Sequence, residues 1–298
     1  MKTRLISADH KILRQLPNSV TMLGLAFGVS SLNMAYWQEW KMAVFFILLA
    51  AVFDFLDGKV ARLLGVTSRF GMELDSLSDF VSFGVSPGFL MYRWTLNQEA
   101  NIQVMEDILS RSEAIGVGWG IVLFMILCCA SRLARFNTMS DEKLPACWKH
   151  FFVGVPAPAG AGITTFPLML WLANHESGDI FRSPLFVGFF LIASGLLMAG
   201  KIPTVSFKHL RLPAHSISVF RVAVIALIAG TFCFPWWMLA GLCVVYMATI
   251  PVGFVWFLKI RRDEAFHDAT PSNDTPDDTL DTPPDTPQDR PQDTPPVS

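Results

Sequence analysis

Apolar residues fall in eight stretches along the chain, at about 19–37, 41–64, 72–93, 115–135, 151–173, 184–199, 217–234 and 236–258. Most are long enough for a helix to cross a hydrocarbon core, which takes about 20 residues. The pattern predicts an all-α fold: a polytopic integral membrane bundle of about eight transmembrane helices. The stretch 184–199 is short, and 217–234 meets 236–258 at Pro235, so these last elements are expected to be tilted, re-entrant or differently divided. Pro17-Asn18 predicts the start of the first helix behind a basic segment. With no small-residue cleavage site behind it, that span is expected to be retained rather than removed as a signal peptide.

Charge orients the bundle. With the N-terminus inside, the inner segments carry Lys2, Arg4, Lys11, Arg14, Arg69, Lys143, Lys149, Lys201, Lys208, Arg211, Lys259, Arg261 and Arg262, with Arg132 and Arg135 at a span's inner end. The outer segments carry Lys41, Arg93, Arg111 and Arg182. Lys and Arg collect on the cytoplasmic side, so both termini are expected there. Composition agrees: of 298 residues 52% are hydrophobic and 16% charged, against about 25% charged in soluble domains, which argues against a soluble enzyme. Residues 263–298 hold ten acids and one base. They are rich in Asp, Thr and Pro and predict a disordered tail. The expected division is a cytoplasmic segment 1–18, a membrane catalytic domain 19–262 and the tail 263–298. The five Cys lie mostly in apolar runs and the six His show no ligand spacing, so neither set predicts a disulfide scaffold or a soft-metal site.

Ionisable groups within a span are expensive and mark function. The second and third spans contain Asp54, Asp57, Asp75 and Asp79. Asp54, Gly58 and Ala61 form one helical stripe with Asp57 beside it, and Gly71, Asp75, Ser78, Asp79 and Ser82 form another. Counting about 1.5 Å of rise per residue from a turn near Gly65 to Arg69, Asp57 and Asp75 fall at one level and Asp54 and Asp79 a turn deeper. Four such charges together require either protonation or cations between them. Carboxylates in this number suit Mg²⁺ or Mn²⁺, as in two-metal phosphoryl-transfer sites. Lys59 and Arg62 add positive charge at the boundary, where phosphate binding and snorkelling to the interface are both open to Lys59.

The string Asp54-x2-Asp57-Gly58-x2-Ala61-Arg62-x8-Gly71-x3-Asp75-x3-Asp79 resembles the signature of the CDP-alcohol phosphatidyltransferase family, with every position and spacing kept. That resemblance implies a six-helix membrane core, often a homodimer, which binds a CDP-linked lipid at the cytoplasmic face and transfers its phosphatidyl group to an alcohol. It further implies that Asp54, Asp57, Asp75 and Asp79 surround divalent metals, with Asp79 doubling as general base. Gly58, Ala61, Arg62 and Gly71 would shape the nucleotide and pyrophosphate site.

Three further strings, ELDSLSDFVSFGVSP at 73–87, SRLARFN at 131–137 and FVGVPAPAGA at 152–161, resemble the bacterial branch of that family that uses serine. Ser86 before Pro87 is a mild departure. The expected substrates are CDP-diacylglycerol and L-serine, among membrane lipids, with no nucleic-acid partner. Arg132 and Arg135 share a helix face and fit a serine carboxylate, the other reading being two positive-inside anchors. Ser78 and Ser82 fit the acceptor pocket or close helix packing, and Asn137 a hydrogen bond or a helix end. Glycerol 3-phosphate, inositol phosphate and choline remain open as acceptors. Intramembrane acids also mark cation transporters, but here they cluster near one face and no inverted repeat is evident.

Overall fold

The computed structural model describes residues 2–66, 68–106, 109–139, 151–176, 178–200, 203–205, 230–231 and 233–269. In chain order these form helices α1 (Lys2–Tyr36), α2 (Trp40–Leu64) and α3 (Arg69–Asp79), a π-helical turn (Phe80–Val85), α4 (Ser86–Met91) and a second π-helical turn (Tyr92–Leu96). There follow α5 (Glu99–Glu106), α6 (Arg111–Met139), strand β1 (Phe151–Val153), α7 (Ala157–Ala173), α8 (Pro184–Ala199), strand β2 (Pro203–Val205) and α9 (Pro235–Ala269). The fold is an all-α bundle. Its described strands are one antiparallel clip in which Phe152 pairs with Thr204, tying the segment before α7 to the segment after α8.

Two expected helix starts move. Helix α1 runs through Pro17 instead of starting there, and the Thr21 hydroxyl donates to the Pro17 carbonyl at 3.1 Å. A proline removes one backbone donor, and here the helix continues across that loss. The stretch 151–173 begins as strand, and its helix starts only at Ala157, after Pro156 with φ −57° and ψ 147°; a proline fits the entry to a helix because its missing N–H has no partner there anyway. Helix α9 passes residue 262 without a break. The stretch 217–234 falls almost entirely outside the described residues.

From Arg69 to Leu96 the chain is one rod, with helical dihedrals at each junction (Phe80 −59°, −45°; Ser86 −62°, −51°; Tyr92 −58°, −52°). The turn feeding it is built by specific residues. Gly65 ends α2 at φ 62°, while Val66 N–H donates to Ala61 O at 3.1 Å and Gly65 N–H to Arg62 O at 3.4 Å. That is a Schellman ending, which wants a residue without Cβ. Ser68 then caps α3 by accepting from Gly71 N–H at 3.0 Å.

The spans within Arg111–Thr138 and Pro235–Lys259 are long and apolar enough to cross a membrane, with mean hydropathies of 2.2 and 2.1, and α7 and α8 are apolar but shorter. Their outward faces carry Leu127, Leu185, Phe189, Leu196, Val245, Val252 and Val255, all exposed. Apolar surface this extensive is stable where the surrounding solvent is lipid. Inside, small polar residues join helices: Ser31 Oγ donates to Ala43 O at 2.9 Å, Ser86 Oγ to Gly28 O at 2.7 Å, Ser194 Oγ to Gly160 O at 2.8 Å and Thr164 Oγ1 to Ser194 Oγ at 2.9 Å. Water gives no drive for one apolar helix to find another in lipid, so such bonds and close packing hold the bundle.

Candidate active site

Helices α2 and α3 are joined by the Gly65 turn, yet neither packs chiefly on the other. Each packs on α1, which lies along them as a floor. The result is a cleft of about 250 Å³, lined by Pro17, Asn18 and Thr21 from α1, by Asp57, Gly58, Ala61 and Arg62 from α2, and by Val66, Ser68, Gly71, Met72 and Asp75. A larger cavity of about 400 Å³ sits at the other end of α2 around the Lys41–Glu176 ion pair, and none of the four Asp lines it.

At the inner wall of the small cleft the acids meet. One carboxylate oxygen from each of Asp54, Asp57 and Asp75 lies within 4.8 Å of the others. Asp54 is also within hydrogen-bonding reach of Asp79. One oxygen of Asp57, Oδ2, is buried with no hydrogen-bond partner among the described residues. A buried, unsatisfied carboxylate oxygen beside further carboxylates is costly unless a cation or proton occupies the space. The donors are all hard oxygens, which fits a divalent ion of the Mg²⁺ or Mn²⁺ kind. The residues present therefore fit a divalent metal.

The small residues keep the cleft open. A Cβ on Gly58 would meet only Arg62 Nη2, at 3.9 Å, so Gly58 faces free space. A Cβ on Gly71 would stand 3.0 Å from Asn18 Oδ1 and 3.1 Å from Ser68 Oγ, so Gly71 permits the close approach of α3 to α1. Arg62 is exposed at the mouth, its Nε donating to Gly58 O at 2.8 Å. Lys59 lies over its own helix's Phe55 ring, 4.3 Å from the centroid, and is not part of the cleft lining.

The expected acceptor residues separate. Arg132 on α6 lies within electrostatic reach of Asp54 and Asp79, and its buried Nε has no partner among the described residues. Arg135 turns away: Nη1 donates to Ala199 O at 2.7 Å and Nη2 to Met198 O at 3.3 Å and Gly200 O at 3.4 Å. It closes the carbonyl end of α8, a placement that favours helix capping over acceptor binding. Ser78 and Ser82 face α1. Ser78 Oγ approaches Thr21 O at 3.4 Å, and a Cβ on Gly28 would fall 2.9 Å from Ser82 Cα. Asn137 pairs with Ser76 at 3.0 Å, joining α6 to α3 beside Asp75.

The pattern of acids on α2 and α3 did not reveal the contribution of α1. Pro17, Asn18 and Thr21 sit in the string LPNSVT at 16–21, and its place in the cleft depends on packing.

Comparison with known proteins agrees with this geometry. A family model described as CDP-alcohol phosphatidyltransferase matches residues 14–205, which hold most of α1, all of α2 to α8, all four acids and Arg132. The chain is 34% identical over 241 residues to a CDP-diacylglycerol–serine O-phosphatidyltransferase of Mycobacterium leprae, covering 80% of this chain and 74% of that one. It is 31% identical over 196 residues to the protein of the same description from Helicobacter pylori, covering 65% and 73%. To that of Saccharomyces cerevisiae it is 39% identical over 184 residues, covering 55% and 58%. With its acid cluster on α2 and α3 and a family match across most of its helices, the chain belongs to the CDP-alcohol phosphatidyltransferase family.

Proposed function

We propose that the protein transfers the phosphatidyl group of CDP-diacylglycerol to the hydroxyl of L-serine, giving phosphatidylserine and CMP. The observation that carries this reading is the carboxylate cluster at the wall of a cleft between α1, α2 and α3, in a chain 34% identical over 80% of its length to a protein named for that reaction.

In this reading the serine oxygen attacks the phosphorus that carries diacylglycerol. A new P–O bond forms, the P–O bond to CMP breaks, and the serine proton passes to the Asp79 carboxylate. A neutral hydroxyl needs such a base as it attacks, and a half-buried carboxylate suits the role. Asp54, Asp57, Asp75 and Asp79 would hold divalent metal, two Mg²⁺ or Mn²⁺ ions, which when bound supplies charge neutralisation to the phosphates. Gly58 and Ala61 leave room for the nucleotide, Gly71 sets the cleft width, and Arg62 faces the pyrophosphate at the mouth. The lipid tails stay in the bilayer while the polar head enters from the cytosol. That arrangement fits a multi-pass protein of a bacterial cytoplasmic membrane, with both termini inside, a catalytic domain over 19–262 flanked by the segments 1–18 and 263–298, and a homodimeric assembly.

The test is CMP release from CDP-diacylglycerol by purified protein, with and without serine, in Mg²⁺, in Mn²⁺ and after chelation, alongside Asp79→Asn. Serine-dependent release that requires a divalent ion and collapses in the variant is expected. Release only with another alcohol would keep the family chemistry and discard serine; divalent-cation transport without CMP would discard the transferase reading.

A further inference from the structure

We infer that Asn137, two residues from the end of α6, is a positioning residue for the metal-binding carboxylates: by holding Ser76 it fixes the turn of α3 that carries Asp75. The inference rests on the divalent-metal reading above and adds a residue outside the acid signature of α2 and α3.

The helix from Arg69 to Leu96 is held unevenly. Beyond Asp79 it packs closely on α6: a Cβ on Gly84 would stand 3.1 Å from Cys129 Sγ, and one on Gly88 would stand 3.3 Å from Val122 Cγ1 and from Ile126 Cγ1. Before Asp79 that contact thins. There α3 lies mainly on α1, with Phe70, Met72 and Leu77 exposed and Ser78 buried. A side-chain tie crosses the thinner stretch. Asn137 Nδ2 donates to Ser76 Oγ at 3.0 Å, and that hydroxyl has Met72 O and Asn137 Oδ1 as acceptors, each at 3.1 Å. Eight residues separate Ser76 from Gly84 and eight separate Cys129 from Asn137. The tie therefore keeps the register that the close packing sets further along the two antiparallel helices.

The tie is anchored from behind. Arg135, two residues earlier on α6, donates to Ala199 O at 2.7 Å and to Met198 O at 3.3 Å, so the end of α6 that bears Asn137 is fastened to α8. A line of hydrogen bonds thus runs from the carbonyl end of α8 through α6 to Ser76, the residue next to Asp75. Asp75 shares its cluster with Asp54 and Asp57, one oxygen of each within 4.8 Å of the others. Mg²⁺ tolerates little departure from octahedral ligands, and side chains that fix a ligand without touching the metal govern its affinity. Two other roles for Asn137 fit less well. It does not end the helix, since α6 runs on to Met139, and it does not line the cleft.

The experiment titrates Mg²⁺ into the full-length protein in detergent by calorimetry, with CMP release measured in parallel, for wild type, Asn137→Ala, Ser76→Ala and the double variant. Each single variant should bind Mg²⁺ about tenfold more weakly and need about tenfold more for half-maximal release, with the KM for serine within about twofold of wild type. The double variant should be weakened by about the same tenfold and not a hundredfold, because both substitutions remove one bond. Ser76→Ala deletes a single oxygen and answers the question even where Asn137→Ala fails to fold. Unchanged Mg²⁺ affinity in Ser76→Ala overturns the inference, whatever the melting temperature does, and leaves the metal reading intact. A rise confined to the KM for serine in Asn137→Ala also overturns it, placing Asn137 at the acceptor. A wild type that binds no Mg²⁺ overturns the metal reading and this inference together.

Discussion

Each acid in the cleft has a different neighbourhood, and the differences predict graded effects. Asp57 has a buried oxygen without a partner among the described residues, so Asp57→Asn should remove a metal donor and lower kcat at least about a hundredfold, read as CMP release at saturating Mg²⁺. Isothermal titration of Mg²⁺ should show weaker binding in the same variant. A loss of activity with unchanged metal affinity would speak against Asp57 as a ligand. Gly58 and Gly71 belong to the same signature but should respond differently. Gly58→Ala meets no protein atom closer than 3.9 Å, so melting should stay unchanged while the KM for the CDP-lipid rises. Gly71→Ala must push Asn18 and Ser68 from 3.0 and 3.1 Å, and should lower stability as well. The acid string made the candidate ligands legible because its spacing repeats the helical period on two adjacent segments. It could not separate Arg132 from Arg135, since two residues three apart share a face and only the neighbouring helix decides which is capped.

Among the elements, the helix from Arg69 to Leu96 shows how packing on α1 sets side-chain roles. Ser78 and Ser82, four residues apart, both turn to α1, Ser78 Oγ towards Thr21 O at 3.4 Å and Ser82 against Gly28. Gly28→Ala should therefore destabilise the bundle by about 1–3 kcal/mol through overpacking, measured as thermal unfolding in detergent, with the KM for serine unaffected in the protein that remains folded. Arg135→Ala should act on α8 in a comparable way. It removes three contacts to the last carbonyls of that helix and should cost about 1.5–3 kcal/mol, whereas a change confined to the serine KM would return Arg135 to the acceptor site. No apolar pattern announces a π-helical turn, because one extra residue per turn leaves composition untouched.

For the molecule as a whole, the expected orientation predicts that tags at both termini are labelled from the cytoplasmic side of inverted membrane vesicles and protected in intact cells. A terminus labelled from outside would break the assignment. The sequence by itself determined the helical class, most of the membrane-long segments and the identity of the four acids, since lipid demands long apolar runs and makes every intramembrane charge conspicuous. It did not determine that α1 is the floor of the cleft, or that α2 and α3 bring their acids together at its inner wall. Only the tertiary structure decided these. The periodicity of one helix reports which face is polar, whereas the partner of that face is chosen by packing among helices distant in sequence, where small residues such as Gly28 and Gly71 set how near two backbones can come.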